Sequence, residues 1–120
     1  MNHQSDQPIR KFDIWLADLP TVPESHVQSG VRPVVIVSND TANQCTSLVS
    51  IVPLTSNLAR PDIPTRIVIR SRFLNQASMA LCDQVMTIDK ARLKERMGAV
   101  EHQHERMAIR HCKQVQLDLD

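Results

Sequence analysis

At 120 residues, 42% hydrophobic and with a formal net charge of +1, the chain is sized for one domain with its own core. It lacks the basic excess of a duplex-DNA-binding protein and the low hydrophobicity of a disordered one. The cysteines, Cys45, Cys82 and Cys112, are an odd set without paired spacing, and no apolar run approaches the roughly 20 residues of a membrane span. A reduced, cytoplasmic protein without a membrane partner is expected. With two glycines in the whole chain, a glycine-rich phosphate cradle is excluded.

Residues 1–10 are polar and read as a flexible extension; 11–120 read as a single domain. Phe12 to Leu16 reads as a strand, with Phe12, Ile14 and Leu16 on one face and Asp13 and Trp15 on the other. Ala17 to Val31 is polar, broken by Pro20, Pro23 and Gly30, and is long for a connection, as functional loops often are. Pro33 to Val37 is continuously apolar and predicts a strand buried on both faces, with Pro33 at its first position. Ser38 to Asn43 is turn or single-helical-turn chemistry, capped by Ser or Asp. Strands are predicted at Leu48–Leu54, Thr65–Ile69, Met79–Cys82 and Val85–Ile88. Asp89 can cap a helix over Lys90–Met97, with Gly98 as its C′ residue. The last segment predicts an amphipathic helix whose core face carries His104, Met107, Ala108, His111, Cys112 and Val115. Strands first and helices last imply a mostly β or α+β fold, a barrel-like sheet with a C-terminal helix.

Arg32 stands where the long loop meets a buried strand, and Pro33 restricts its backbone to extended geometry. Its planar fork suits phosphate, or equally a surface carboxylate. Thr55-Ser56-Asn57, after the strand ending at Leu54, can donate to a phosphate or cap a turn. Arg60, Arg66, Arg70 and Arg72 stand against Asp62 alone, a local basic patch suited to single-stranded RNA or a solvated sheet edge. His102 and His104, roughly 200° apart on a helix, do not share a ligand site there, and no metal or cofactor is expected.

Several segments in register resemble the MazF/PemK toxins of bacterial type II toxin–antitoxin systems. Asp13-Ile14-Trp15 is similar to the opening "GDIW" of that family, and Gln28 to Val37 to its "Q-x-G-x-RPVVIV". Asn39-Asp40 follows in place, as do Pro53-Leu54-Thr55-Ser56, Ile63-Pro64-Thr65, and Cys82 to Asp89, similar to "CDQ-x-RTID". The resemblance runs from Asp13 to about Leu117. It implies an SH3-like barrel with a C-terminal helix, acting as a homodimer. It also implies metal-independent, sequence-selective cleavage of single-stranded RNA, chiefly mRNA, held in check by a cognate antitoxin.

On the matching positions, Arg32 would stabilise phosphate charge and Thr55 would hydrogen-bond a phosphate oxygen. His26 and Asp83 would supply an acid–base pair, as in the PemK branch. Gln28, Ser56 and Gln84, with Arg60 and Arg66, would contact RNA. The departures are Phe12 for a glycine, Ser25 and Val27 for the loop's glycine and glutamate, and Leu81 and Met86 for arginines. Compensation for the lost positive charges would fall to Arg60, Arg66 or Arg70. Two other readings are a CcdB-like toxin that docks on DNA gyrase, and a degenerate toxin that keeps only antitoxin and dimer contacts.

Overall fold

The computed structural model describes residues 8–21 and 28–116, the side chains of 113–116 excepted. Of the expected N-terminal extension, residues 1–7 lie outside the described residues, while Ile9 is buried in the core. Among these described residues, seven strands and two α-helices follow in chain order. They are β1 (Asp13–Leu19), β2 (Gly30–Ile36), α1 (Asp40–Cys45), β3 (Leu48–Thr55), β4 (Arg66–Ile69), β5 (Ser78–Leu81), β6 (Met86–Asp89), β7 (Leu93–Ala99) and α2 (Gln103–Gln116). Short 3₁₀ turns at Cys82–Gln84 and Lys90–Arg92 flank β6.

All strand pairs are antiparallel, and the path through the sheet is β4-β5-β3-β2-β1-β7. The first half of β3 pairs with β6 and its end with β5. Among the described residues the two path ends, β4 and β7, do not pair; instead Ser71 Oγ, just past β4, donates to Ala99 O at 3.2 Å. Side chains thus close what backbone ladders leave open.

Alternation along the strands builds two cores. Val34 and Ile36 join Trp15, Ala17, Leu19, Val49 and Ile51 on one face. Val35 and Val37 join Ile14, Val52, Leu54 and Ile69 on the other, which α2 covers with Ile109 and Cys112. The run at Pro33–Val37 is therefore apolar on both faces because both faces are packed. Trp15 and Asp13 are as buried as Ile14; the Asp13 carboxylate is held by Arg96 Nη2 at 3.1 Å and the Arg10 N–H at 3.0 Å.

Four local expectations need correction. Pro33 is the fourth residue of β2, not its first, and sits where the ladder to β3 has not yet begun, so β2 is an edge there. The cap of α1 is Asn39, whose Oδ1 accepts the Ala42 N–H at 2.8 Å. Lys90–Met97 is not a helix. Asp89 does cap, accepting the Ala91 N–H at 2.8 Å, but only a 3₁₀ turn follows before β7 joins the free edge of β1. Gly98 ends no helix; a Cβ there would lie 2.1 Å from Phe73 Cγ, so the glycine admits the Phe73 ring against β7.

The buried face of α2 is turned from the expected one. Glu105, Ile109 and Cys112 face inward, whereas His104, Met107 (58% exposed) and His111 face out. Glu105 is accommodated because its Oε2 accepts the Arg70 N–H at 2.9 Å. The three cysteines are free, and burial pushes the Cys112 thiol up, against a smaller downward pull from Cys82. Among the described residues no helix is long and apolar enough to cross a membrane.

Candidate active site

Val34 pairs with Pro53 across the β2–β3 ladder, and extending that register by two residues sets Arg32 level with Thr55. Thr55 also pairs with Met79, which brings the start of β5 to the same end of the sheet. The result is a cavity of about 300 Å³ lined by Arg32, Pro33, Leu54, Thr55 and Ser56 on one side. Asn75, Gln76 and Ser78, with Leu74 and Met97, form the other.

The Arg32 guanidinium is held from behind. Its Nε donates to Ser29 O at 2.9 Å and its Nη1 to Gln28 Oε1. Gln28 is fixed in turn, its N–H donating to Gln84 Oε1 at 2.8 Å. Two of the five guanidinium N–H donors are thus used for orientation, and three remain for a ligand in the cavity. Thr55 Oγ1 accepts the Asn57 N–H at 3.2 Å, and Asn57 Oδ1 accepts the Ala59 N–H at 3.0 Å. The turn reading of Thr-Ser-Asn is therefore correct, and it leaves the Thr55 hydroxyl proton free to donate.

Other site candidates fall outside this lining. Asp83 Oδ2 accepts from Arg66 Nη2 at 3.3 Å, an ion pair on the wall made by β4 and the 3₁₀ turn. Arg60 is paired with Asp62 at 3.1 Å and fully exposed; the pair raises the arginine and lowers the aspartate from their ordinary values. His26 lies outside the described residues. Gln84, expected on RNA, accepts the Gln28 N–H and so braces the segment that leads into Arg32. Asn75, Gln76, Ser78 and Met97 escaped the sequence reading, since no local signal marks them and only strand pairing brings them to Thr55. The two histidines also differ from expectation. His102 precedes α2 rather than lying in it, so its ring stacks on His104 at 5.5 Å and 29°. Among the described residues no three His, Cys, Asp or Glu side chains gather as metal ligands.

Residues 10–112 match the family of PemK-like, MazF-like toxins of type II toxin–antitoxin systems. The chain belongs to this family. This toxin is 42% identical over 91 residues to the endoribonuclease MazF of Staphylococcus epidermidis, a match covering 74% of this chain and 75% of that protein. Its fold is similar to an endoribonuclease in complex with its cognate antitoxin from a mycobacterial species, with a TM-score of 0.75 at 25% identity, covering 93% and 97% of the two chains. Crystalline MazF from Deinococcus radiodurans is similar in fold, with a TM-score of 0.76 at 22% identity over 92% and 96% of the chains.

Proposed function

We propose that this toxin is an endoribonuclease that cuts single-stranded RNA, mRNA above all, at the Arg32–Thr55 cavity without a metal. The observation that carries the reading is the guanidinium braced by Ser29 O and Gln28 beside a hydroxyl that still has its proton to give. The activity class itself follows from membership of the family and from the named activity of the Staphylococcus relative.

The chemistry asks little beyond these groups. The ribose 2′-oxygen loses its proton and bonds to phosphorus, the P–O5′ bond breaks, and the leaving 5′-oxygen takes up a proton. The products are a 2′,3′-cyclic phosphate and a 5′-hydroxyl. Arg32 neutralises the charge that builds on the phosphorane, while Thr55 orients the phosphate. His26 and Asp83 are assigned the acid–base pair on family resemblance. Ser56, at the rim of the cavity, is assigned to RNA binding.

The test is a long single-stranded RNA incubated with purified protein in EDTA, with the fragment ends analysed. Cyclic-phosphate and 5′-hydroxyl ends are expected. Intact RNA alongside arrested DNA gyrase would replace the nuclease with a gyrase-docking toxin. The toxin is further assigned a cytoplasmic homodimer inhibited by an antitoxin. Light scattering at micromolar concentration is expected to give twice the 13.6 kDa chain mass, and a monomer mass would refute the dimer.

A further inference from the structure

A second, shallower cavity of about 400 Å³ is lined by Arg70, Ser71, Arg72, Ala77, Glu101 and His102. Leu74 and Gln76 line both this cavity and the Arg32–Thr55 cavity, so the two adjoin. Between them, their linings run from Arg32 and Thr55 through the β4–β5 connection to Glu101 and His102, just before α2.

The charges of the second cavity are unequally engaged. Glu101 is consumed in the wall, accepting the Arg72 N–H at 3.0 Å, Arg72 Nε at 3.0 Å and Ser71 Oγ at 3.2 Å. Arg72 is also spread over the Phe73 ring at 5.0 Å. By contrast, among the described residues the exposed Arg70 guanidinium has no hydrogen-bond or ion-pair partner. Beyond it stands the His102 ring, exposed yet backed by His104. A free guanidinium followed by a supported, exposed aromatic ring is the pairing that single-stranded nucleic acid uses, phosphate on the cation and base on the ring.

We propose that this extension binds the RNA strand on one side of the cut, with Arg70 on a phosphate and His102 under a base. The assignment rests on the nuclease reading and deepens it. Arg60 and Arg66 are held by Asp62 and Asp83, and Arg70 alone of the three lines this cavity.

The experiment begins by mapping one cut in a long RNA with the wild-type protein. Three oligonucleotides are then made around it: a short one that carries the cut, and the same sequence lengthened on its 5′ or its 3′ side. Arg70→Ala and His102→Ala are each expected to raise KM about 5- to 10-fold on one of the two lengthened substrates. kcat, and every rate on the short substrate, should stay at wild-type values, which also reports that the variants fold. Arg70→Ala should in addition flatten the log-affinity against log-salt slope by about 0.7 on the sensitive substrate. Equal losses on all three substrates, or none on any, would overturn the assignment. Unchanged RNA rates with lost inhibition by poly-L-glutamate would overturn it in favour of a site for an acidic protein tail. Intact long RNA with the wild-type protein is a different failure, since it removes the nuclease reading itself and the extension with it.

Discussion

Arg32→Ala is expected to lower kcat/KM for RNA cleavage by about 10³-fold while leaving the fold intact, the order of loss seen when a preorganised donor to developing charge is removed. The effect is large because the guanidinium is fixed before substrate arrives. Nε and Nη1 are already bonded to Ser29 O and Gln28 Oε1, so no rotamer freedom is lost at the moment of reaction. Stability should change little, since Arg32 is only half-buried and its partners are a loop carbonyl and a side-chain amide. Arg32→Lys keeps the charge but loses the fork that these acceptors hold, and should recover little of the rate. Gln84→Ala releases Gln28 without touching the cavity, and should cost about tenfold, mainly in kcat. The double variant decides the mechanism. If Gln84 acts through Arg32, adding Gln84→Ala to Arg32→Ala costs nothing more. Fully additive losses in oligonucleotide cleavage would detach Gln84 from the arginine and return it to direct RNA contact.

The sheet was legible because its apolar runs are short, β-branched and bounded by turn residues; β3, β4, β5 and β6 lie within a residue or two of expectation. Lys90–Met97 was misread because its intrinsic preference is helical and its Asp89 cap serves a 3₁₀ turn as well as an α-helix. What overrides the preference is non-local: β1 has a free edge, and Leu93 is buried opposite Ala17. The face of α2 was misjudged for a related reason. Glu105 looks like a solvent residue until the Arg70 N–H is brought to it from 35 positions away, which frees His104 and Met107 to face outward. At the candidate site, Arg32 was legible from the boundary between a polar loop and an apolar run, Thr55 from the end of β3, and both from resemblance. Their neighbours Asn75, Gln76 and Ser78 were not, because a cavity wall contributed through the β3–β5 ladder leaves no periodic trace in sequence.

Phe12 carries the second large expectation, and it concerns stability. Its φ is +73°, the left-handed region that side chains avoid, and the resembling family places a glycine there. Strain of about 1 kcal/mol is the expected penalty for a side chain at this φ. Against it stands a buried ring in the core that α2 covers, with Lys11, Arg106 and Arg110 at 5.4, 5.4 and 6.0 Å from its centroid. The backbone is pinned as well, Phe12 N–H donating to Ile36 O at 2.7 Å and Phe12 O accepting from Val100 N–H at 2.9 Å. Removing a buried phenylalanine costs about 3–5 kcal/mol, and the lost cation–π contacts add about 0.5–1 kcal/mol. Packing therefore outweighs strain, and both Phe12→Ala and Phe12→Gly should destabilise. Their order is the sharper test. Alanine keeps the strained φ and loses the ring, whereas glycine loses the ring and sheds the strain, so glycine should be the more stable by about 1 kcal/mol. That reverses the usual ranking of the two residues inside regular structure. Urea denaturation of both variants measures it. A more stable alanine variant would refute the strain at Phe12, and two variants near wild-type stability would refute the packing that offsets it.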